Sequence, residues 1–203
     1  MVGRMVKGAS RSPRGWISGA AGLVERFGLS HLRRCEYRSD LAYPIGQSGQ
    51  CLIIRSSVLN HFSKYQQRDP HSLEAGGQLF AQFIEGNVVL ERATGPRPSD
   101  LRFRHLFIPD RRKEQEEINA MHREGFHFIG DWHTHPEPAP AASPSDVESI
   151  RDAFAKSKHH LNWFIMIIVG TNEFPSGLCV AAHSATSSIS LVPNALTPLP
   201  HEI

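Results

Sequence analysis

The stretch Trp132-His133-Thr134-His135-Pro136, with Ser143-Pro144-Ser145-Asp146 downstream, is the part of the chain from which the rest can be read. It follows Gly125 to Trp132 (GFHFIGDW), whose apolar and aromatic residues predict a strand. Side chains along a strand alternate faces with a period of two, so His133 and His135 point the same way. Two imidazoles on one face are half of a zinc site, and a catalytic ion takes three protein ligands and leaves a fourth position open. The third donor must come from another element. Pro144 to about Lys158 predicts a helix, with Ser143 as N-cap and Pro144 at the first helical position, where a missing N–H costs nothing. Asp146 then falls in the first turn. The Pro/Ala loop from Pro136 to Pro144 is long enough to fold that turn back over the strand end, so Asp146 is the natural third donor.

Each part alone has a plainer explanation. The chain has twelve histidines, and the pair His159-His160 carries no further pattern. Ser-Pro-Ser-Asp is also an ordinary capped helix start, with an acid favoured by the helix dipole. The metal reading rests on the combination, and capping and metal binding are compatible at Asp146.

Working outward, Cys51 to Arg55 predicts a strand and Ser56 to Gln67 a helix, with Val58, Leu59 and Phe62 at helical spacing. Gly77 to Ile84 and Val88 to Ala93 flank Glu85-Gly86-Asn87 and predict a hairpin. Thr94 to Leu101 predicts a loop and Arg104 to Ile108 a strand. Asp110 caps a polar helix running to about Arg123. Trp163 to Gly170 predicts a core strand, and Leu178 to Ala182 and Ser188 to Val192 close the sheet. This order is not strict β-α-β alternation. The expected class is α+β, an α/β/α sandwich around a mixed, curved sheet with flanking helices.

Three domain segments are expected: a basic leader over 1–45 with a short helix near Ala20 to Phe27, a catalytic domain over 46–193, and a tail over 194–203. Net charge is +2, but residues 1–39 carry eight Lys/Arg against two acids, so the body is mildly acidic. The leader lacks aromatic interleaving and a clear amphipathic face, which argues against nucleic-acid or membrane partners. No apolar run approaches the ~18 residues of a membrane span. The three cysteines, Cys35, Cys51 and Cys179, form no C-x-x-C pair and no disulfide framework, so a cytoplasmic location is expected. Oligomeric state is not legible.

The pattern His133-Thr134-His135-Pro136, six residues, Ser143, two residues, Asp146 resembles the signature of the JAMM metallopeptidases, which have the JAB/MPN (cytidine deaminase-like) architecture. Glu74-Ala75-Gly76-Gly77-Gln78-Leu79-Phe80 looks like the upstream glutamate element of that family, and the resemblance covers roughly residues 50–192. Ala81 departs from the glycine many members have there. The resemblance implies Zn2+ held by His133, His135 and Asp146, water activated by Glu74, and an oxyanion donor in Ser143. It implies hydrolysis after the C-terminal residue of a ubiquitin-like or conjugated protein tail. Glu74 through Phe80, Ala93-Thr94-Gly95-Pro96-Arg97-Pro98 and Gly130 to Glu137 further resemble the JAB deconjugases of CBASS antiphage operons, which release a cGAS-like nucleotidyltransferase from its targets. The alternatives are a hydrolase freeing an amino acid from a sulfur-carrier protein and a non-catalytic MPN scaffold. Asp131, two residues before His133, is expected to orient a ligand histidine or to sit on the surface, and Trp132 to lie in the core.

Overall fold

The computed structural model describes residues 36–194. In chain order the elements are β1 (Leu41–Pro44), β2 (Cys51–Ile54), α1 (Ser56–Ser63), β3 (Gly76–Ile84), β4 (Asn87–Ala93), β5 (Leu101–Phe103), β6 (Leu106–Ile108), α2 (Arg111–Arg123), β7 (His127–Thr134), α3 (Pro144–Lys156), β8 (Phe164–Val169), β9 (Leu178–His183) and β10 (Ser188–Leu191). Eight strands form one mixed sheet in the order β1-β2-β4-β3-β7-β8-β9-β10. The pairs β2/β4 and β7/β8 are parallel and the rest antiparallel. The sheet is strongly curved: beyond β10, Asn194 N donates to Ala42 O of β1 at 2.9 Å.

Central strand β8 shows why the layers form. All six of its residues are buried, as expected of a continuous apolar run covered on both faces. Ile165, Ile167 and Val169 face a core filled by Val58, Leu59 and Phe62 of α1. Phe164, Met166 and Ile168 face Ile150 of α3. Helix α2 packs on β7 and β3 with a polar face; Glu114 is its one buried residue. Glu114 lies 3.9 Å from Arg97, a buried guanidinium that also meets Asp100 at 3.7 Å and pairs with Glu117. The three-layer expectation therefore holds.

The leader boundary is corrected. Leu41–Pro44 belongs to the sheet as β1, with Leu41 and Tyr43 buried, although it falls within the expected leader. Pro44 is tolerated because it ends an edge strand. Gly46 (φ 56°) and Gly49 (φ 77°) make only the turn to β2. Residues 1–35 of the leader, with its short helix and Cys35, and the tail beyond Asn194 lie outside the described residues. Helix α1 stops at Ser63 rather than Gln67. Residues 101–108 form the hairpin β5–β6 instead of a loop and one strand.

One bulge sets the faces of the central strand. The β3/β7 register shifts between Leu79 and Phe80, opposite Gly130. Gly130 has φ 141°, and a Cβ there would sit 1.9 Å from Ile165 O, so only glycine fits. Beyond the bulge, Trp132 faces the α1 core as expected. Residues 131 and 133 take the opposite face by alternation.

Candidate metal centre

The two histidines converge as the strand period requires. Thr134 N donates to Ala75 O at 2.8 Å and His135 N to Val169 O at 3.0 Å, so extended pairing continues through the motif. His133 Nε2 and His135 Nε2 lie 3.1 Å apart. Asp146 Oδ1 is 3.5 Å from His133 Nε2, and its Oδ2 is 3.7 Å from His135 Nε2. A tetrahedral ion with bonds of ~2.0–2.1 Å has ligand-to-ligand edges of about 3.3–3.4 Å. Two nitrogens and a carboxylate at these separations fit such an ion, and the chemistry of the donor set suits zinc. Burial lowers the His135 pKa and His133 lowers it further, which favours the neutral imidazole a metal requires.

Asp146 is held from its own helix. Ser143 caps α3 in a capping box: its Oγ accepts from Asp146 N at 3.2 Å, and its own N donates to Asp146 Oδ2 at 2.8 Å. Ser143 Oγ also donates to Asp146 Oδ2 at 2.7 Å. Burial alone would raise the Asp146 pKa. Hydrogen bonding and charge at His133, with the bonds from Ser143, hold it well below the carboxylate range instead.

Glu74 enters from the β3 side of the motif. It is 8% exposed, and its carboxylate and the two histidines can place their ligand atoms within 4.8 Å of one another. Its backbone is clamped by the hairpin, with Glu74 N donating to Phe103 O at 2.7 Å and Arg102 Nε to Glu74 O at 2.7 Å. Gly76 and Gly77 serve close approach. The ring of Phe107 lies 2.7 Å from where a Gly76 Cβ would sit, and a Gly77 Cβ would be 1.9 Å from Thr94 O. That carbonyl also accepts from Trp132 Nε1 at 2.9 Å. Gly77→Ala is therefore expected to cost about 3 kcal/mol of stability, measured as a drop in the urea midpoint at constant m-value.

Burial pushes the Glu74 carboxyl from 4.5 up to about 7, with His133 pulling down and Asp146 pushing up. The folded metal-free protein thus holds this proton more tightly than the unfolded chain. The resulting stability is fully present below pH 4.5 and is lost as pH rises through about 7. At ~1.4 kcal/mol per pKa unit the loss is on the order of 3 kcal/mol. Glu74→Gln cannot ionise. Without metal, its melting temperature is expected to exceed the wild type's at pH 8 and to match it near pH 4.5, by thermal melts in chelator.

The structure thus brings together Glu74, His133, His135, Asp146 and Ser143. Asp131 is no simple surface carboxylate. Desolvation, with Glu114 adding to it, raises its carboxyl to about 7 against the pull of Arg111, His133 and Arg97. Sequence reading passed over Gln67, whose side chain reaches Thr134 between the two histidines, and Arg102. Both act on chain segments distant in sequence, so no local spacing marks them.

The chain is similar to known proteins. A family model described as prokaryotic homologs of the JAB domain matches residues 55–181. A CD-NTase/cGAS isopeptidase of Pseudomonas aeruginosa is 33% identical over 126 residues, covering 60% of this chain and 78% of that protein. One of Vibrio cholerae is 30% identical over 142 residues, covering 67% and 87%. A probable metalloprotease of Sinorhizobium fredii is 38% identical over 79 residues, covering 37% and 48%. Fold and relatives together define a hydrolase of the metallopeptidase type. The chain belongs to the prokaryotic JAB-domain family.

Proposed function

We propose that this chain is a zinc-dependent isopeptidase that releases a CD-NTase/cGAS-like protein from conjugates made through its C-terminal tail, as part of CBASS antiphage defence. The observation that supports this best is the convergence of His133, His135 and Asp146 at 3.1–3.7 Å with a buried carboxylate, Glu74, beside them. The relatives named as CD-NTase/cGAS isopeptidases point to the substrate.

His133, His135 and Asp146 would hold the ion. When bound, zinc acidifies water and polarises the scissile carbonyl. Glu74 accepts a proton from the attacking water and delivers it to the leaving nitrogen as the C–N bond breaks. The products are a free tail carboxylate and a free amine, so atoms and charge balance. Ser143 orients Asp146 and, once its hydroxyl turns away from Oδ2, donates to the developing oxyanion.

Hairpin β5–β6 gives the tail a place to lie. Leu101 (58% exposed), Phe103 (55%), Leu106 and Ile108 share its outward face. The outer edge of β6 makes no backbone hydrogen bond beyond β5 among the described residues. An extended tail can add there as a strand.

The test is cleavage of a fusion joining the nucleotidyltransferase's C-terminal tail to a reporter protein. Cleavage that chelator abolishes and zinc restores is expected; no cleavage, or cleavage indifferent to chelator, refutes the reading. In the same assay Leu101→Asp/Ile108→Asp is expected to raise KM at least tenfold with kcat within twofold, because both side chains are exposed and neither makes the contacts that hold Glu74, which come from Arg102 and the Phe103 carbonyl. An unchanged KM removes the hairpin from the substrate path.

A further inference from the structure

Just beyond α1, Gln67 is 2% exposed, and its carboxamide is fully engaged. Nε2 donates to Arg104 O at 2.8 Å, in the β5–β6 turn, and to Ser72 O at 3.2 Å, two residues before Glu74. Oε1 accepts from Thr134 Oγ1 at 2.9 Å. Thr134 is wholly buried between the two histidines, and its Oγ1 also accepts from Ala75 N at 3.0 Å. One side chain thus ties the strand carrying the histidines, the segment carrying Glu74, and the hairpin that clamps the Glu74 backbone.

We infer that Gln67 is a positioning residue that locks the Glu74 segment, the histidine strand and the β5–β6 turn into one register. The inference rests on the functional reading above for its catalytic consequence alone. The physical reason is satisfiability. A buried carboxamide offers two donors and an acceptor, and leaving any of them unmatched is costly, so all three segments must meet it together. Its neighbour Gln66 holds a different wall. Gln66 Nε2 donates to Gly170 O at 2.7 Å and Asn172 O at 2.8 Å, in the loop between β8 and β9.

Two readouts on the full chain test this. The first is amide hydrogen exchange without substrate. Gln67→Met, close in shape but unable to make these hydrogen bonds, is expected to speed exchange at residues 72–76 and 103–104 at least tenfold, with β8 unchanged. Gln66→Met is expected to speed residues 170–172 and leave 72–76 alone. Exchange unchanged at 72–76 in Gln67→Met, or β8 accelerated equally, overturns the inference. The second readout is kinetic. Gln67→Met is expected to keep wild-type metal content and a KM within twofold while kcat falls at least tenfold. Thr134→Val, which cuts the same link and also removes the acceptor of Ala75 N, is expected to lose at least as much. The double variant should be no worse than Thr134→Val alone, and Thr134→Ser should restore the rate. A wild-type kcat in folded Gln67→Met, or losses that multiply in the double variant, overturns the inference. A wild type that cuts nothing refutes the functional reading instead, and the exchange readout still decides the register claim.

Discussion

Glu74→Gln is expected to bind as much metal as the wild type and to cleave the tail conjugate at least a hundredfold more slowly. Glutamine keeps the size and the polar contacts of the side chain but cannot take the proton of the attacking water. General base catalysis of this kind is worth typically ~10²–10⁴ in rate. The loss should fall on kcat, with KM little changed, because the interaction matters only as the proton moves. Metal content is the second readout, because geometry offers two carboxylates. Asp146 lies 3.5 and 3.7 Å from the imidazole nitrogens, and a Glu74 carboxylate oxygen also lies within 4.8 Å of both histidines. If Glu74→Gln loses its metal, Glu74 is a ligand and the base must be sought elsewhere. If its rate stays within threefold of wild type, the proton route through Glu74 is wrong.

His133→Ala should show the opposite pairing of effects. Removing one of two imidazole donors is expected to weaken zinc binding at least a hundredfold, since even residues that only orient a ligand are worth ~10–100-fold. Activity should vanish at zinc concentrations that saturate the wild type. The fold should survive, because the α1 core is built by Trp132 and its neighbours on the opposite face of β7. Added zinc should therefore raise the melting temperature of the wild type by mass action and leave that of His133→Ala unmoved. Stoichiometric zinc in folded His133→Ala would remove this histidine from the ligand set.

These two variants probe residues of unequal legibility. His133 and His135 could be paired from the strand period alone, and the capping box at Ser143 and Asp146 from its spacing, because both are local rules. The buried run of β8 and the Asp110 cap of α2 were legible for the same reason; Asp110 accepts from Arg112 N and Lys113 N. Glu74 stood out only through its resemblance to a known family. In isolation it is an acid before two glycines, and its carboxyl becomes unusual only when the fold buries it. Leu41–Pro44 reads as part of the leader in the chain alone, because its place in the sheet depends on pairing with β2. Hairpin β5–β6 is local, yet its two-residue turn, Arg104-His105, lacks the Gly, Asn or Asp that marks such turns, and its three-residue strands are too short to show alternation. Gln67 is the extreme case. Its bond to Thr134 spans 67 residues, and a buried carboxamide looks like any surface glutamine until burial removes the water that would otherwise satisfy it. Periodicity and capping act within a few residues and leave their mark in the chain. The meeting of Glu74, Gln67 and the hairpin follows from sheet order, the bulge at Gly130 and desolvation, and these exist only once distant segments have packed.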